Sequence, residues 1–257
     1  MPRIYWKTKQ GTADWFRLRA GIPTASEFDS IITPKKGEPA AARHKYACRL
    51  IAQRLLNWQA ESLDTIKHIE DGKANEPFAV AQLHALAEIE THPVGFVTTA
   101  DGRFGASPDR AIGGHPDAPG EFEDAALAAV LEVKCPTIPK QFEYLLLGHD
   151  DAYRCQVQGQ LWVAEADKAI FYSFQNRMPS YHVETGRDEA FLRKLAACLE
   201  QFSDELEALT EKARGLGVYQ AFEELRTPEE QEYGENIRRA PMETAEELAE
   251  LIDGATG

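Results

Sequence analysis

Two carboxylates and a lysine are spaced so that they could do chemistry together. Ser107-Pro108-Asp109 is followed, after a gap, by Leu131-Glu132-Val133-Lys134-Cys135-Pro136. Glu132 and Lys134 are two positions apart, so on a strand both side chains leave the same face. Asp109 precedes Glu132 by 23 residues, enough for a strand end, a turn and a returning strand. Carboxylates are hard oxygen ligands for divalent cations, and an ammonium beside them completes a constellation suited to phosphodiester hydrolysis. In that arrangement Asp109 and Glu132 hold Mg2+, Val133 offers its carbonyl, and Lys134 positions or helps deprotonate the attacking water. Glu-x-Lys alone also describes an exposed ion pair on an edge strand. The apolar neighbours Leu131, Val133 and Cys135 argue for burial, where unpaired charge is costly.

Strands and helices must hold these groups. Ala129–Lys134 reads as a strand, apolar and β-branched around its two charges. Residues 94–99 are strand-like, and 103–106 return as a hairpin around Asp101-Gly102. Phe28, Ile31 and Ile32 have helical spacing, with Thr24 as a candidate cap. Residues 33–37 read as a basic loop and 113–120 as a turn-rich one. Residues 40–58 form a helix with Tyr46, Leu50, Ile51 and Leu55 on one face. A helical region over 64–90 buries Phe78, Leu83, Leu86 and Ile89, with a kink or a helix start at Pro77. Helices follow over 140–147 and 152–164, strands over 169–174 and 181–184. A long amphipathic helix over 188–214 carries the stripe Phe191, Leu195, Leu199, Phe202 and Leu206. The economical reading is one α/β domain over residues 1–257, with an acidic helical C-terminal region from about residue 187.

Composition narrows the class. The chain has 257 residues, 43% hydrophobic and 27% charged, which supports a full core. No run of about 18 apolar residues predicts a membrane span, and the amino terminus lacks the apolar stretch of a signal peptide. Cys48, Cys135, Cys155 and Cys198 include no C-x-x-C pair, so buried thiols in a reducing cytoplasm are expected. The seven histidines form no metal-binding spacing, and no phosphate-cradling glycine motif is present, so ATP dependence is not expected. The net charge of −14 is unevenly spread. Residues 1–54 hold 11 Lys+Arg against 4 Asp+Glu, and everything after residue 54 is net acidic. Nucleic acid, if bound, is expected to meet the amino-terminal third.

Ser-Pro-Asp followed by Leu-Glu-Val-Lys-Cys-Pro resembles the PD-(D/E)XK nuclease motif. More narrowly, it resembles the phage lambda exonuclease and YqaJ-type viral recombinase family. Residues 15–26, W-F-R-L-R-A-G-I-P-T-A-S, are similar to that family's amino-terminal signature. Gly72-Lys73-Ala74-Asn75-Glu76 is similar to its G-x-x-x-E helix, and residues 153–162 to its glutamine-rich helix. The matches run in order over about residues 12–185.

The resemblance implies a PD-(D/E)XK nuclease-like core, a central mixed β-sheet flanked by α-helices. It implies a bacterial or phage-encoded 5′-to-3′ exonuclease on linear double-stranded DNA that leaves 3′ overhangs. Its cofactor would be Mg2+, two ions, with Mn2+ able to substitute. Its partners would be duplex ends, two further copies in a homotrimeric ring, and a single-strand DNA annealing protein. Asp109 and Glu132 match the metal-binding carboxylates, Lys134 the catalytic lysine, Glu76 a helix glutamate that reaches the metals, and Gln156 a glutamine beside the scissile phosphate. Arg19, Thr24, Ser26 and Ser107 fall where the 5′-phosphate is held, and Ile69 falls near a strand-separating wedge. Arg110, Pro77 and Pro23 depart from the family's usual residues beside these positions. A structure- or site-specific endonuclease of the same fold and a non-catalytic DNA-end binding protein are the alternatives.

Overall fold

Ala129–Lys134 is buried along nearly its whole length, as expected of a strand covered on both faces. A computed structural model describes residues 1–56, 67–87, 90–149 and 151–217. The order of elements is β1 (Arg3–Tyr5), α1 (Ala13–Arg19), a 3-10 helix Ala25–Ser30, α2 (Arg43–Leu56), α3 (Lys67–Ala87), β2 (His92–Pro93), β3 (Phe96–Thr98), β4 (Gly105–Ala106), β5 (Arg110–Ile112), β6 (Glu123–Asp124), β7 (Ala129–Lys134), α4 (Ile138–Leu147), a 3-10 turn Asp151–Tyr153, α5 (Arg154–Val163), β8 (Lys168–Ser173), β9 (Tyr181–Gly186) and α6 (Glu189–Gly215). The main sheet runs β2-β5-β7-β8-β9, and a second runs β4-β3-β1-β6. Among the described strands, only β7 and β8 pair in parallel; the other strand pairings are antiparallel. The fold is therefore the expected mixed sheet flanked by helices, with β7 central rather than at an edge.

The two faces of β7 meet different helices. Leu131 and Val133 pack with Ala79 and Leu83 of α3 and with Ile170, Tyr172 and Phe174. Val130 joins the larger core with Val157 and Leu161 of α5 and the stripe of α6. Glu132 shares the parity of Val130, so it points towards α5. The α6 stripe is buried as expected, each of its five side chains at most 3% exposed. Each contributes on the order of 1.5–3 kcal/mol. Residues up to Thr210 form one compact unit, and Glu211–Gly257 form another, of which only residues up to Gly217 are described.

Several expectations are corrected. α3 runs through Pro77, so no helix starts there. Ala79 and Leu83, four apart, define its buried face, and Phe78, one position round the helix, is 66% exposed. The Leu86 and Ile89 side chains lie outside the described residues. Thr24 precedes the 3-10 helix but makes no side-chain cap bond; its hydroxyl is engaged elsewhere. Helix α1 and the strands β1, β5 and β6, two to seven residues each, carry too little periodicity to be read from sequence.

Candidate active site

Strand period brings Glu132 and Lys134 together, as their spacing predicts. The Lys134 ammonium donates to Glu132 Oε1. Asp109, one residue before β5, reaches across the β5–β7 pairing, and its Oδ2 accepts from the Val133 N–H at 2.6 Å. Val133 is thus tied to the centre through its amide. Burial, and then the Glu132 charge, push the Asp109 carboxyl well above the usual carboxylate range. Burial opposes charge on Lys134 too, but the Glu132 and Asp109 carboxylates override it and hold the ammonium above its ordinary value. Lys134 Nζ also lies 5.5 Å from the centre of the Tyr153 ring.

Helix α5 supplies amide donors. Gln156 Nε2 donates to Glu132 Oε1 at 2.6 Å. Gln160, one turn on, donates to Glu132 Oε2 at 2.5 Å. Sequence reading did not single out Gln160. Its i, i+4 relation to Gln156 was the available signal. Gln158 is buried, not solvent-facing, and bonds the Gly186 carbonyl and the Asp188 N–H instead. Glu76, on α3, sits close enough for its charge to act on Asp109 and Arg110. Arg110 is not a loose cation in the centre: its guanidinium donates to the hydroxyl and carbonyl of Thr91. The side chain of Ile69 lies outside the described residues.

A second cluster forms around Arg19, at the end of α1. Its guanidinium donates to Ser107 Oγ at 2.7 Å and lies 3.4 Å from both Thr24 Oγ1 and Ser26 Oγ. Thr24 and Ser26 hydroxyls are 3.3 Å apart. The Arg19 guanidinium stacks over Trp15, whose indole N–H donates to Ser107 Oγ and the Gly95 carbonyl. Burial holds the Arg19 pKa below its ordinary value. All four residues expected to hold a phosphate therefore converge. A fixed guanidinium fork with three hydroxyls is suited to a tetrahedral oxyanion.

Among the described residues, no three His, Cys, Asp or Glu side chains form a ready-made metal cage. The donor chemistry nonetheless fits a hard divalent cation: Asp109 and Glu132 offer carboxylate oxygens, and Glu76 adds a third charge nearby. Burial first, and then the Glu132 and Glu76 charges, raise the Asp109 pKa, while Lys134 opposes them.

A model of the YqaJ-like viral recombinase domain matches residues 14–167. An alkaline exonuclease from Laribacter hongkongensis, LHK-Exo, is 27% identical with a TM-score of 0.66, over 80% of this chain and 98% of that one. The structure of LHK-Exo in complex with dAMP gives 27% and 0.67 over the same shares. A phage-related exonuclease from Haemophilus somnus, 13% identical over 75% of this chain and 96% of that one, has a TM-score of 0.56 and shares the fold. No curated protein matches the sequence.

Proposed function

The chain belongs to the YqaJ-like viral recombinase domain family, and on that premise we propose that it is a Mg2+-dependent exonuclease that degrades the 5′-ended strand of linear duplex DNA. The membership and the alkaline exonuclease neighbours support a DNA nuclease with a PD-(D/E)XK-like fold.

The observation that carries the direction is the segment Ser107-Pro108-Asp109. Ser107 belongs to the Arg19 cluster and Asp109 to the Glu132–Lys134 centre. Two residues span at most about 7 Å of extended chain. An oxyanion pocket and a hydrolytic centre this close suit a terminal phosphate seated in one while the next phosphodiester is cut in the other. Arg19 forks onto the terminal phosphate, and Thr24, Ser26 and Ser107 add hydroxyl donors. That pocket selects the 5′ end and leaves a 3′ overhang.

Asp109, Glu132 and Glu76, with the Val133 carbonyl, are the residues that would hold Mg2+, as two ions that Mn2+ could replace. The ions supply Lewis-acid activation of water and shield the phosphate charge. Lys134, ion-paired with Glu132, positions the attacking water or helps deprotonate it. Gln156 keeps Glu132 Oε1 in place beside the scissile phosphate. Ile69 as strand-separating wedge, a homotrimeric ring threaded by DNA, and a single-strand annealing protein as partner belong to the same reading. A basic inner face and an acidic outside would suit such a ring.

The test is digestion of linear duplex, labelled on one strand and phosphorylated at its 5′ ends, with Mg2+. Expected are loss of the 5′-ended strand, intact closed circles, and no cleavage by Lys134→Ala or Glu132→Ala. Loss of the 3′-ended strand would overturn the direction, and cutting of closed circles would favour an endonuclease.

A further inference from the structure

Helix α5 carries two buried glutamines with opposite bonding. Gln158, 3% exposed, is satisfied at both ends: its Nε2 donates to the Gly186 carbonyl at 2.9 Å, and its Oε1 accepts from the Asp188 N–H at 2.8 Å. It joins α5 to the start of α6 and explains itself as structure. Gln160, 1% exposed, does not. Its Nε2 donates to Glu132 Oε2, and its Oε1 is buried with no hydrogen-bond partner among the described residues. The orientation is fixed by chemistry, since only the amide N–H2 can donate to a carboxylate. A buried acceptor left unmet is costly, and an apolar side chain of the same volume would avoid that cost. What Gln160 offers in return is its bond to Glu132.

That bond makes the two Glu132 oxygens unequal. Oε2 is turned into the interior and held by Gln160. Oε1 is turned to the centre, where Lys134 and Gln156 meet it. Glu132 is itself 3% exposed, so its carboxylate is free to rotate only if the Gln160 bond breaks. We propose that Gln160 is a positioning residue that locks Glu132 with one oxygen presented to the cation and the other withheld, a role that rests on the metal-dependent reading above. Partners that orient a ligating carboxylate typically change metal affinity or activity by about 10- to 100-fold when lost.

The experiment is a titration of Mn2+ into the metal-free protein, followed by calorimetry, with the Mg2+ dependence of duplex cleavage beside it. Gln160→Met keeps the volume and removes the donor. The expected result is Mn2+ binding weakened about 10- to 100-fold, a matching rise in the Mg2+ needed for half-maximal cleavage, and a rate largely restored at saturating Mg2+. Gln158→Met is the control for a merely structural glutamine: its melting temperature falls while Mn2+ affinity stays that of wild type. Should Gln160→Met fail to fold, Gln160→Asn keeps an amide one methylene too short to reach Oε2 and is expected to show the same weakening. Wild-type affinity in the Gln160 variant that folds would overturn this role and leave the nuclease reading intact. Absence of Mn2+ binding by the wild type would overturn both.

Discussion

Asp109 is buried beside another carboxylate, and both facts oppose its ionisation. Its folded pKa therefore lies above the unfolded value of about 3.9. Below that value both states carry the proton, and Asp109 costs nothing. As pH rises between the two values the unfolded chain releases its proton first, so metal-free protein loses stability at up to about 1.4 kcal/mol per pH unit. Above the folded value the penalty is complete. Asp109→Asn removes this titration, and the asparagine oxygen can still accept from Val133 N–H. The variant should lose cleavage yet melt higher than wild type at neutral pH in chelator, with the gap closing below the ordinary carboxylate range. A variant that melts lower at neutral pH would contradict the raised pKa. Arg19→Lys keeps a charge but loses the fork shared among Ser107, Thr24 and Ser26. A charge-assisted hydrogen bond contributes about 1.5–3 kcal/mol, so preference for a 5′-phosphate over a 5′-hydroxyl should fall roughly 10- to 100-fold. Competition between the two substrates measures it. The Glu132–Lys134 pair was legible because period 2 acts locally and apolar neighbours announced burial. Gln160 was not, because three glutamines on one helix look alike until packing decides which face meets β7.

Among the described residues, helix α5 holds two of the three donors on Glu132, so its distance from β7 matters. Gly159 sets how closely it approaches the helix Ala25–Ser30. A Cβ at Gly159 would lie 2.5 Å from Phe28 Cδ2 and 3.2 Å from Ala25 Cβ. Phe28 is fully buried and has nowhere to turn. Alanine would gain about 1 kcal/mol of helix propensity, but overpacking costs about 1–3 kcal/mol, and overpacking wins. Gly159→Ala should lower stability in urea and, by displacing Gln156 and Gln160 from Glu132, lower cleavage as well. An unchanged rate in a folded variant would mean that α5 tolerates the shift. At this scale the long elements were legible: the α2 and α6 stripes, β7, and the β3–β4 hairpin follow from periods of 3.6 and 2. The strands of two or three residues were not, because their pairing partners, not their own side chains, define them. Phe78 was assigned to the core because an aromatic in a helix favours burial, whereas Ala79 and Leu83 took the inward face.

Charge is the property of the whole molecule that sits least easily with a polyanionic substrate. The basic excess of residues 1–54 is partly spent within the fold: Arg43 pairs with Glu205 and Arg54 with Glu207, both acids from outside that segment. The expectation that DNA meets the amino-terminal third thus reduces to fewer cations, among which Arg19 lies in the proposed oxyanion pocket. Residues 218–257 hold three Lys+Arg against eleven Asp+Glu, so a chain ending at Gly217 would carry a net charge of −6 instead of −14. Repulsion between this acidity and DNA acts through solvent over about 30 Å at 0.01 M salt and about 10 Å at 0.1 M. In a Lys134→Ala background, expected to bind without cutting, the chain ending at Gly217 should associate with labelled linear duplex faster than the full chain. The gain is on the order of tenfold at low salt and should fade towards unity as salt rises. Circular dichroism checks that both chains are folded, and stopped-flow anisotropy measures the rates. Equal rates at low salt would show that the acidic segment does not screen the approach of DNA, and slower association by the shorter chain would show that the segment contributes to binding in spite of its charge.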